Sequence, residues 1–192
     1  MGPVMNGDEM KDDLEKWLEG KGERVLRKIG IRKGQTVLDF GCGSGAYTVP
    51  VARIVSEEGI VYALDRDKRA LDELMQRAEL EGLRNIRRMD TSGEVAIRLD
   101  DESVDVVLLY DIFWYFPLSD SRLTKLLAEV YRVSRRQALI SVIPKHINSE
   151  QFKDKMEKAG FQLKKKNAET IIHDGAFERG QILNFIKKYY SH

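Results

Sequence analysis

Three glycines occupy alternate positions of one short segment: Gly41, Gly43 and Gly45. Glycine lacks a Cβ atom, so the backbone there can turn sharply and a ligand can approach it closely. The segment follows Asp39 and an apolar run at 36–38, and it precedes a helix-like stretch at 47–55. A helix that begins after such a turn presents unpaired N–H groups and the positive end of its dipole. The pattern therefore predicts a small polar ligand at the carboxyl end of a parallel strand.

Short apolar runs alternate with amphipathic stretches over most of the chain. The runs are at 36–40, 60–64, 104–110 and 138–143, with a weaker one at 85–89. They are nearly continuous in Val, Ile and Leu, which is typical of strands buried on both faces. Apolar residues at helical spacing predict helices at 67–80 and 119–133, and Ser149 is the expected N-cap of a helix at 150–159. We therefore predict a parallel, doubly wound sheet.

The last part of the chain breaks this alternation. Residues 161–170 and 181–188 are strand-like and are joined by a polar, glycine-containing stretch. We expect them to form an antiparallel hairpin that closes the sheet edge. The predicted fold is a single α/β, Rossmann-like domain over residues 1–192, with a mostly parallel, seven-stranded sheet in a core at 35–192.

The composition is that of a globular protein with 42% hydrophobic and 33% charged residues and a net charge of +1. This balance gives no global field that would attract nucleic acid, although the lysines at 164–166 leave a weak phosphate-binding patch as an alternative. Cys42 is the single cysteine, so neither an intrachain disulfide nor a cysteine-based metal site is expected. The chain opens with no signal-peptide pattern and has no membrane-spanning run, so we expect a cytoplasmic protein.

A nicotinamide dinucleotide is one possible ligand of the glycine segment. Glycines at 41 and 43 with Ala46 satisfy a relaxed dinucleotide fingerprint, and Asp65 ends the second predicted strand. Three features argue against it. Asp39 precedes the loop, the third glycine falls at 45 instead of 46, and the chain has neither a Tyr-x-x-x-Lys pair nor room for a second catalytic domain.

The segment 37–45 resembles the first motif of class I S-adenosylmethionine-dependent methyltransferases. The similarity continues in register at 31–37, 59–65, 85–90, 101–107 and 159–161. It covers roughly residues 22–188 and is closest to the small "type 11" branch, which includes enzymes of quinone biosynthesis. As a set, these motifs are specific for the cofactor and unspecific for the acceptor.

The resemblance implies a role for each residue of the loop. Gly41, Gly43 and Gly45, with Cys42 among them, would lie against the methionine portion of S-adenosylmethionine. Asp39 would lie near the cofactor's ammonium group, although it could instead cap a turn. Cys42 is expected to be small and buried, not reactive.

The resemblance also implies contacts to the adenosine portion. Asp65 would accept hydrogen bonds from both ribose hydroxyls. Asp90 would accept one from the adenine amino group, or else only start a loop, and the Thr91 N–H would meet a ring nitrogen. Arg66 and Met89 would flank the adenine faces.

The acceptor is expected at the carboxyl end of the fourth strand, in the segment 110–117 that begins with Tyr110 beside the cofactor. Asp111 could orient the acceptor, and Tyr115 could line an aromatic pocket for an apolar, planar or cationic molecule. Related proteins often carry histidines where Trp114 and Tyr115 stand. The Asp/Asn-Pro-Pro-Tyr/Phe motif of many nucleic-acid amino-methyltransferases is also absent there.

Methyl transfer from a sulfonium is an in-line displacement, so the enzyme must align the nucleophile and exclude water. His146 follows the fifth predicted strand and is the best-placed general base, whereas His173 and Asp174 could reach the pocket rim. The helical segment 1–34, with Trp17 and Leu18 on its apolar side, is predicted to be a lid. Packing on the sheet edge and a dimer contact are the alternatives.

We therefore predict methyl transfer from S-adenosylmethionine to a small-molecule acceptor, without a metal ion, by a monomer or homodimer. Three alternatives are a cofactor-binding protein without transferase activity, an RNA or protein methyltransferase, and a nicotinamide-dependent reductase fragment. The missing histidines at 114 and 115 motivate the first, and the lysine-rich last quarter motivates the second. Nucleic acid is not an expected partner.

Overall fold

The computed structural model describes the backbone of residues 7–188 and the side chains of residues 12–188. Its helices are α1 (Gly7–Lys16), α2 (Gly22–Ile29), α3 (Thr48–Val55), α4 (Lys68–Leu80), α5 (Ser121–Val133) and α6 (Ser149–Lys158), and a π-helical segment (Trp17–Lys21) joins α1 to α2. Its strands are β1 (Thr36–Phe40), β2 (Ile60–Asp65), β3 (Ile86–Asp90), β4 (Val104–Tyr110), β5 (Ser134–Ile143), β6 (Phe161–His173) and β7 (Ala176–Lys187). The first residues of the predicted lid, 1–6, lie outside the described residues, as do 189–192.

Over residues 7–188 the strands form one seven-stranded sheet in the order β3-β2-β1-β4-β5-β7-β6. Strands β1 to β5 pair in parallel, whereas β7 is antiparallel to both β5 and β6. This architecture confirms the predicted α/β fold with a C-terminal antiparallel hairpin. The strand order reverses between β1 and β4, which is the place where open α/β sheets bind ligands at the carboxyl ends of their strands.

The sheet separates two hydrophobic layers. Successive side chains of a strand point to opposite faces, so Val37 of β1 packs among residues of α2, α3 and α4, whereas Leu38 packs among residues of α5 and α6. Strand β4 is buried along almost its whole length. Burial on both faces explains why the parallel strands were recognisable as continuous apolar runs.

Several predicted boundaries were wrong, including the start of β5, which begins at Ser134 instead of residue 138. The N-cap of α6 is Asn148, not Ser149, because the Asn148 side chain accepts hydrogen bonds from the N–H groups of residues 150 and 151. Both residue types are good caps, so the pattern could not separate them. The stretch 171–180, predicted as a loop, is a paired part of β6 and β7, and the turn is only Asp174-Gly175. Asp-Gly is a strong signal for a tight hairpin.

The N-terminal helical segment packs over the glycine loop. Trp17 is fully buried, and its Nε1–H donates a hydrogen bond of 2.8 Å to the carbonyl oxygen of Ala46. Its ring meets the Tyr47 ring edge to face, with the centroids 5.2 Å apart. The segment is therefore tied to the loop by apolar area and by one buried hydrogen bond.

We expect Trp17→Ala to lower the free energy of unfolding by about 3–5 kcal/mol, because it leaves a cavity under this segment. Trp17→Phe should lose much less, since it keeps most of the ring contacts. Leu80 is 82% exposed, so Leu80→Ala is a control for removing an apolar side chain and should change the free energy by less than about 0.5 kcal/mol. Urea denaturation measures all three. A loss for Trp17→Ala no larger than that for Leu80→Ala would contradict the packing described.

Among residues 7–188, the structure contains no helix that is long and apolar enough to cross a membrane.

Candidate functional site

The glycine loop is held against the end of β2 by hydrogen bonds from its own backbone. The N–H groups of Gly41 and Cys42 both donate to the carbonyl oxygen of Leu64, at 2.8 and 3.2 Å. The N–H of Gly43 donates to the Asp65 side chain, Oδ2, at 2.8 Å. Asp65 therefore fixes the conformation of the loop.

The glycines of the loop differ in what surrounds them. A Cβ added at Gly45 would lie 2.3 Å from Leu74 Cδ1, so this glycine is needed for packing against α4. A Cβ added at Gly43 would meet no atom within 4 Å, although the positive φ of 52° there still disfavours other residues. Gly43 is thus the position where the backbone is bare toward open space, as a close-lying ligand requires.

A first cavity of about 590 Å³ lies at the carboxyl ends of β1, β2 and β4. Its lining includes Gly41, Asp65, Arg66, Thr91, Asp111 and Tyr115. Asp65 Oδ1 accepts a hydrogen bond from the N–H of Asp67 at 2.9 Å, and Oδ2 accepts the one from Gly43. Because a carboxylate oxygen has two acceptor sites, both oxygens can still accept a hydrogen bond from a ligand in the cavity.

Arg66 and Tyr115 form one side of the first cavity. The Arg66 guanidinium carbon lies 4.1 Å from the centroid of the Tyr115 ring, and both side chains are exposed. This geometry is a cation–π contact between the segments that follow β2 and β4. It gives the cavity a flat surface suited to an aromatic base.

Three residues predicted on the adenine side contact other residues of the protein in the structure. The Thr91 N–H donates to the carbonyl oxygen of Asp65 at 3.1 Å, and the residue lines the first cavity, so its contact with a ring nitrogen of adenine remains a prediction. Both Asp90 carboxylate oxygens accept hydrogen bonds from Arg88, which holds the pKa of Asp90 below its usual value. Met89 packs against the hydrophobic layer that contains Phe40. Contacts of Asp90 and Met89 with a ligand therefore remain predictions.

A second cavity of about 880 Å³ adjoins the first along the glycine loop. Its lining includes Asp39, Gly41, Cys42, Gly43, Tyr110 and Asp111. Asp39 is 2% exposed and accepts a hydrogen bond of 2.6 Å from the Thr48 hydroxyl. Burial raises the pKa of Asp39 to about 7, and the nearby Asp65 adds to the rise, whereas the bond from Thr48 opposes it. A cationic ligand group in this cavity would favour the charged carboxylate.

Cys42 and Tyr110 line the second cavity without being chemically activated. Burial raises the pKa of the Cys42 thiol far above its ordinary value, so the thiolate needed for nucleophilic attack is not formed near neutral pH. Burial also raises the pKa of Tyr110, whose hydroxyl shares a hydrogen bond of 2.6 Å with Ser141. Both residues therefore shape the cavity, as expected for Cys42.

Asp111 lines both cavities, and two histidines lie beside it. Its carboxylate is in hydrogen-bond contact with His173 Nδ1, and the ring centroids of His146 and His173 are 5.4 Å apart. The indole of Trp114 stacks on His146, with 4.7 Å between centroids and 17° between planes. The structure thus brings the predicted Asp111 and His146 together, and it adds His173, which had been expected only at the pocket rim.

Further residues of the site were not predicted. Glu94 and Arg122 line the first cavity, and Tyr47 lines the second, where its buried hydroxyl donates to the carbonyl oxygen of Ile172 at 2.9 Å. Tyr47 lies close to the glycine loop and Arg122 lies close to the N-cap of α5. Their nearness to these predicted elements was the one feature of the sequence that could have indicated a place in the site. Glu94 lies in an irregular segment that gave none.

Two curated proteins illustrate the similarity of this chain to methyltransferases. A probable cobalt-precorrin-6B C(15)-methyltransferase (decarboxylating) from Saccharolobus solfataricus is 40% identical over 61 residues, which are 32% of this chain and 31% of that protein. A demethylmenaquinone methyltransferase from Geobacillus stearothermophilus is 31% identical over 85 residues, which are 44% of this chain and 36% of that protein. The chain therefore matches about a third of the length of these relatives.

A crystal structure of a SAM dependent methyltransferase from Aquifex aeolicus has the same fold. It superposes with a TM-score of 0.72 at 24% identity and covers 96% of this chain and 100% of that chain. The sequence model of the family described as "Methyltransferase domain" matches residues 37–137, which is more than half of the 192 residues. The chain therefore belongs to the methyltransferase domain family.

Proposed function

We propose that this protein transfers the methyl group of S-adenosylmethionine to a small-molecule acceptor. The observation that carries the proposal is that the two cavities adjoin, with Gly41 and Asp111 in the lining of both. Asp65, which can accept hydrogen bonds from ribose hydroxyls, lines the first cavity, and the buried carboxylate of Asp39 lines the second. An elongated ligand with hydroxyl groups at one end and an ammonium group at the other fits this distribution.

The residues present suit the cofactor on chemical grounds. The open space at Gly43 admits a ligand against the main chain, and Asp39 supplies a negative charge where the methionine ammonium group would lie. Asp65 has free acceptor capacity for the ribose hydroxyls. Arg66 and Tyr115 offer a flat surface to the adenine. When bound, the cofactor supplies a methyl group on a positively charged sulfur.

On the acceptor side we propose Asp111, His146 and Tyr115 as the residues that contact and activate the acceptor. Asp111 lies at the junction of the cavities, and His146 is held beside it by Trp114. These groups could take up a proton from the acceptor or lower its pKa, as methylation of a hydroxyl or thiol requires. The demethylmenaquinone methyltransferase named above is a relative whose acceptor is a small molecule, which supports this class of acceptor here.

We also propose that residues 1–34 act as a lid. Leu14 of α1 lines the second cavity, and Asp13 Oδ2 accepts a hydrogen bond of 2.8 Å from the N–H of Phe177 in the hairpin. The segment thus bridges the glycine loop and the hairpin above the predicted methionine site. Such a cover would exclude water from the transfer. We expect the protein to act in the cytoplasm as a monomer or homodimer.

The proposed activity is tested by incubating the protein with methyl-labelled S-adenosylmethionine and a panel of quinols, catechols, thiols and amines. We expect label in at least one product, and we expect Asp111→Asn to lower kcat/KM for that product by about 10²–10⁴-fold if it acts in proton removal. Glu79→Ala, on the exposed face of α4, is the control and should retain wild-type activity.

A second candidate function is cofactor binding without transfer, as in a sensor or partner subunit. It is favoured by the aromatic side chains Trp114 and Tyr115, which are 72% and 52% exposed and stand where related proteins often have histidines. Binding of S-adenosylhomocysteine, together with no label in any product across the panel and in metabolite extracts, would select this function over transfer.

A further inference from the structure

Asp111, at the junction of the two cavities, belongs to a cluster of three side chains with the composition of a metal site. Asp111, His146 and His173 each offer one ligand atom, and these atoms all lie within 4.8 Å of one another. The residues come from three separate places, since Asp111 follows β4, His146 follows β5 and His173 ends β6. The fold therefore converges two imidazoles and one carboxylate on a single point.

The surroundings of the three side chains restrict their orientation. The Asp111 carboxylate contacts His173 Nδ1 through Oδ2, while its other oxygen, Oδ1, is buried without a hydrogen-bond partner among the described residues. His146 is stacked on Trp114. An unpaired buried carboxylate oxygen is costly unless a cation or donor meets it.

The backbone at two of the three residues is also unusual. Asp111 has a φ of 59° and His146 a φ of 63°. Left-handed backbone is uncommon for residues other than glycine, and such residues are concentrated at functional sites. Here these conformations accompany the convergence of the side chains on one point. The hydrogen bond between Asp111 and His173, which are 62 positions apart in the chain, shows that the cluster is a tertiary feature.

We propose that Asp111, His146 and His173 bind one divalent transition-metal ion, with Zn²⁺ as the best match. Two imidazole nitrogens and one carboxylate oxygen suit Zn²⁺, Co²⁺ or Fe²⁺, whereas Mg²⁺ and Ca²⁺ prefer oxygen ligands throughout. Three protein ligands leave a coordination position open, as in catalytic zinc sites. No metal ion was expected from the sequence, because the single cysteine excludes a cysteine cluster and His173 was expected only at the pocket rim.

The distances between the three ligand atoms must change when a metal ion binds. Zn²⁺ lies about 2.0–2.2 Å from nitrogen and oxygen ligands, so tetrahedral ligand atoms are about 3.4 Å apart. The ligand atoms, which lie within 4.8 Å of one another, must therefore adjust to this spacing, and the ion must replace the hydrogen bond between Asp111 and His173. Asp39 and Asp174 line the same cavity as Asp111, and their charge favours the entry of a cation.

This inference rests on the proposed methyl transfer and specifies how the acceptor is activated. The acceptor hydroxyl or thiol would occupy the open position of the metal ion, which lowers its pKa, and its proton would leave to solvent. The lone pair of the resulting oxyanion or thiolate then forms the bond to the methyl carbon. The carbon–sulfur bond of the sulfonium breaks with its electron pair retained by sulfur, and the metal ion keeps its oxidation state.

Metal binding is tested on untagged, full-length protein freed of metal with a chelator and titrated with Zn²⁺ by calorimetry and with Co²⁺ by visible absorption. We expect one equivalent to bind, and the Co²⁺ complex to show the absorption of four- or five-coordinate cobalt. His146→Ala, His173→Ala and Asp111→Asn should each weaken binding by at least about 10-fold, because each removes one of three ligands. Glu79→Ala, on the exposed face of α4 and outside the cluster, should stay within about 3-fold of wild type.

The inference fails if the wild-type protein binds no Zn²⁺, or if the three ligand variants bind it as well as Glu79→Ala does. Circular dichroism shows whether each variant is folded. If one variant is not folded, the remaining variants and the Co²⁺ spectrum of the wild-type protein still decide. A wild-type spectrum that lacks the absorption of four- or five-coordinate cobalt also overturns the site.

A parallel titration with S-adenosylhomocysteine separates this inference from the proposed function. Cofactor binding without Zn²⁺ binding would reject the metal site and leave methyl transfer standing, with Asp111 and His146 as the proposed proton acceptors. Zn²⁺ binding without any affinity for S-adenosylhomocysteine would support the metal site and reject methyl transfer.

Discussion

Asp65→Ala is expected to weaken the binding of S-adenosylhomocysteine by at least about 100-fold. A hydrogen bond to a charged group contributes about 1.5–3 kcal/mol, and the two ribose hydroxyls would lose two of them, or about 3–6 kcal/mol. Since 1.4 kcal/mol corresponds to a factor of ten, the loss of ribose contacts alone gives about 10²–10⁴-fold. The substitution also frees the N–H of Gly43, which Asp65 holds at 2.8 Å.

Isothermal titration of the wild type, Asp65→Ala and Asp65→Asn measures this effect. Asp65→Asn keeps the size of the side chain and one carbonyl acceptor, so its affinity should lie between the other two. Glu79→Ala, exposed on α4, controls for the loss of a surface carboxylate and should bind like the wild type. An affinity of Asp65→Ala within about threefold of the Glu79→Ala value would show that the ribose does not lie at Asp65.

Asp39 is expected to make cofactor affinity depend on pH between about 5.5 and 7. Burial raises its pKa to about 7, so below that value the carboxyl is mostly neutral in the free protein and cannot pair with an ammonium group. The dissociation constant of S-adenosylhomocysteine should therefore fall by up to about tenfold per pH unit as the pH rises toward 7, and it should level off above 7. Asp39→Asn should bind weakly and without this dependence.

The same group affects stability with the opposite trend. The folded state binds the Asp39 proton more tightly than the unfolded chain, where the ordinary pKa is near 3.8. Stabilisation by the bound proton is therefore fully present below pH 3.8 and is lost as the pH rises to about 7. At about 1.4 kcal/mol per pKa unit, the loss amounts to roughly 4 kcal/mol. Asp39→Asn should remove this decrease, because its amide does not titrate.

Urea denaturation of both proteins at pH 5, 6, 7 and 8 measures the stability effect, and calorimetric titration over the same range measures the affinity. The two trends together distinguish Asp39 from other titrating groups, because a rise in pH must strengthen binding of S-adenosylhomocysteine while it lowers the free energy of unfolding of the free protein. Equal affinity of the wild-type protein at pH 5.5 and pH 8 would contradict the placement of the ammonium group at Asp39.

The positions of the residues proposed to bind the cofactor could be predicted from the sequence, because each position follows from a short continuous stretch of the chain. Asp39, Gly43 and Asp65 lie at the ends of two strands that are continuous apolar runs, and adjacent parallel strands bring their carboxyl ends to one edge. The register, in which Phe40 pairs with Leu64, then places the loop over Asp65. Strand burial and glycine spacing predicted where these residues lie, whereas their proposed contacts with the cofactor were implied by the family resemblance.

The acceptor side could not be predicted in the same way. His173 meets Asp111 across 62 positions, and this contact depends on how far β6 extends before it turns at Asp174-Gly175. Because residues 171–180 were predicted to form a loop, the position of His173 at the end of β6 was not predicted. Likewise, the engagement of Asp90 by Arg88 and of the Thr91 N–H by the Asp65 carbonyl depends on side-chain and ladder geometry, which residue types alone do not determine.

A crystal structure with S-adenosylhomocysteine tests the central claim most directly. The account predicts one molecule along both cavities, with its ribose hydroxyls within about 3.2 Å of the Asp65 carboxylate oxygens, its amino group beside Asp39 and its sulfur near Asp111. A molecule bound elsewhere on the surface, or crystals soaked at saturating concentration whose cavities hold only protein side chains and water, would contradict it.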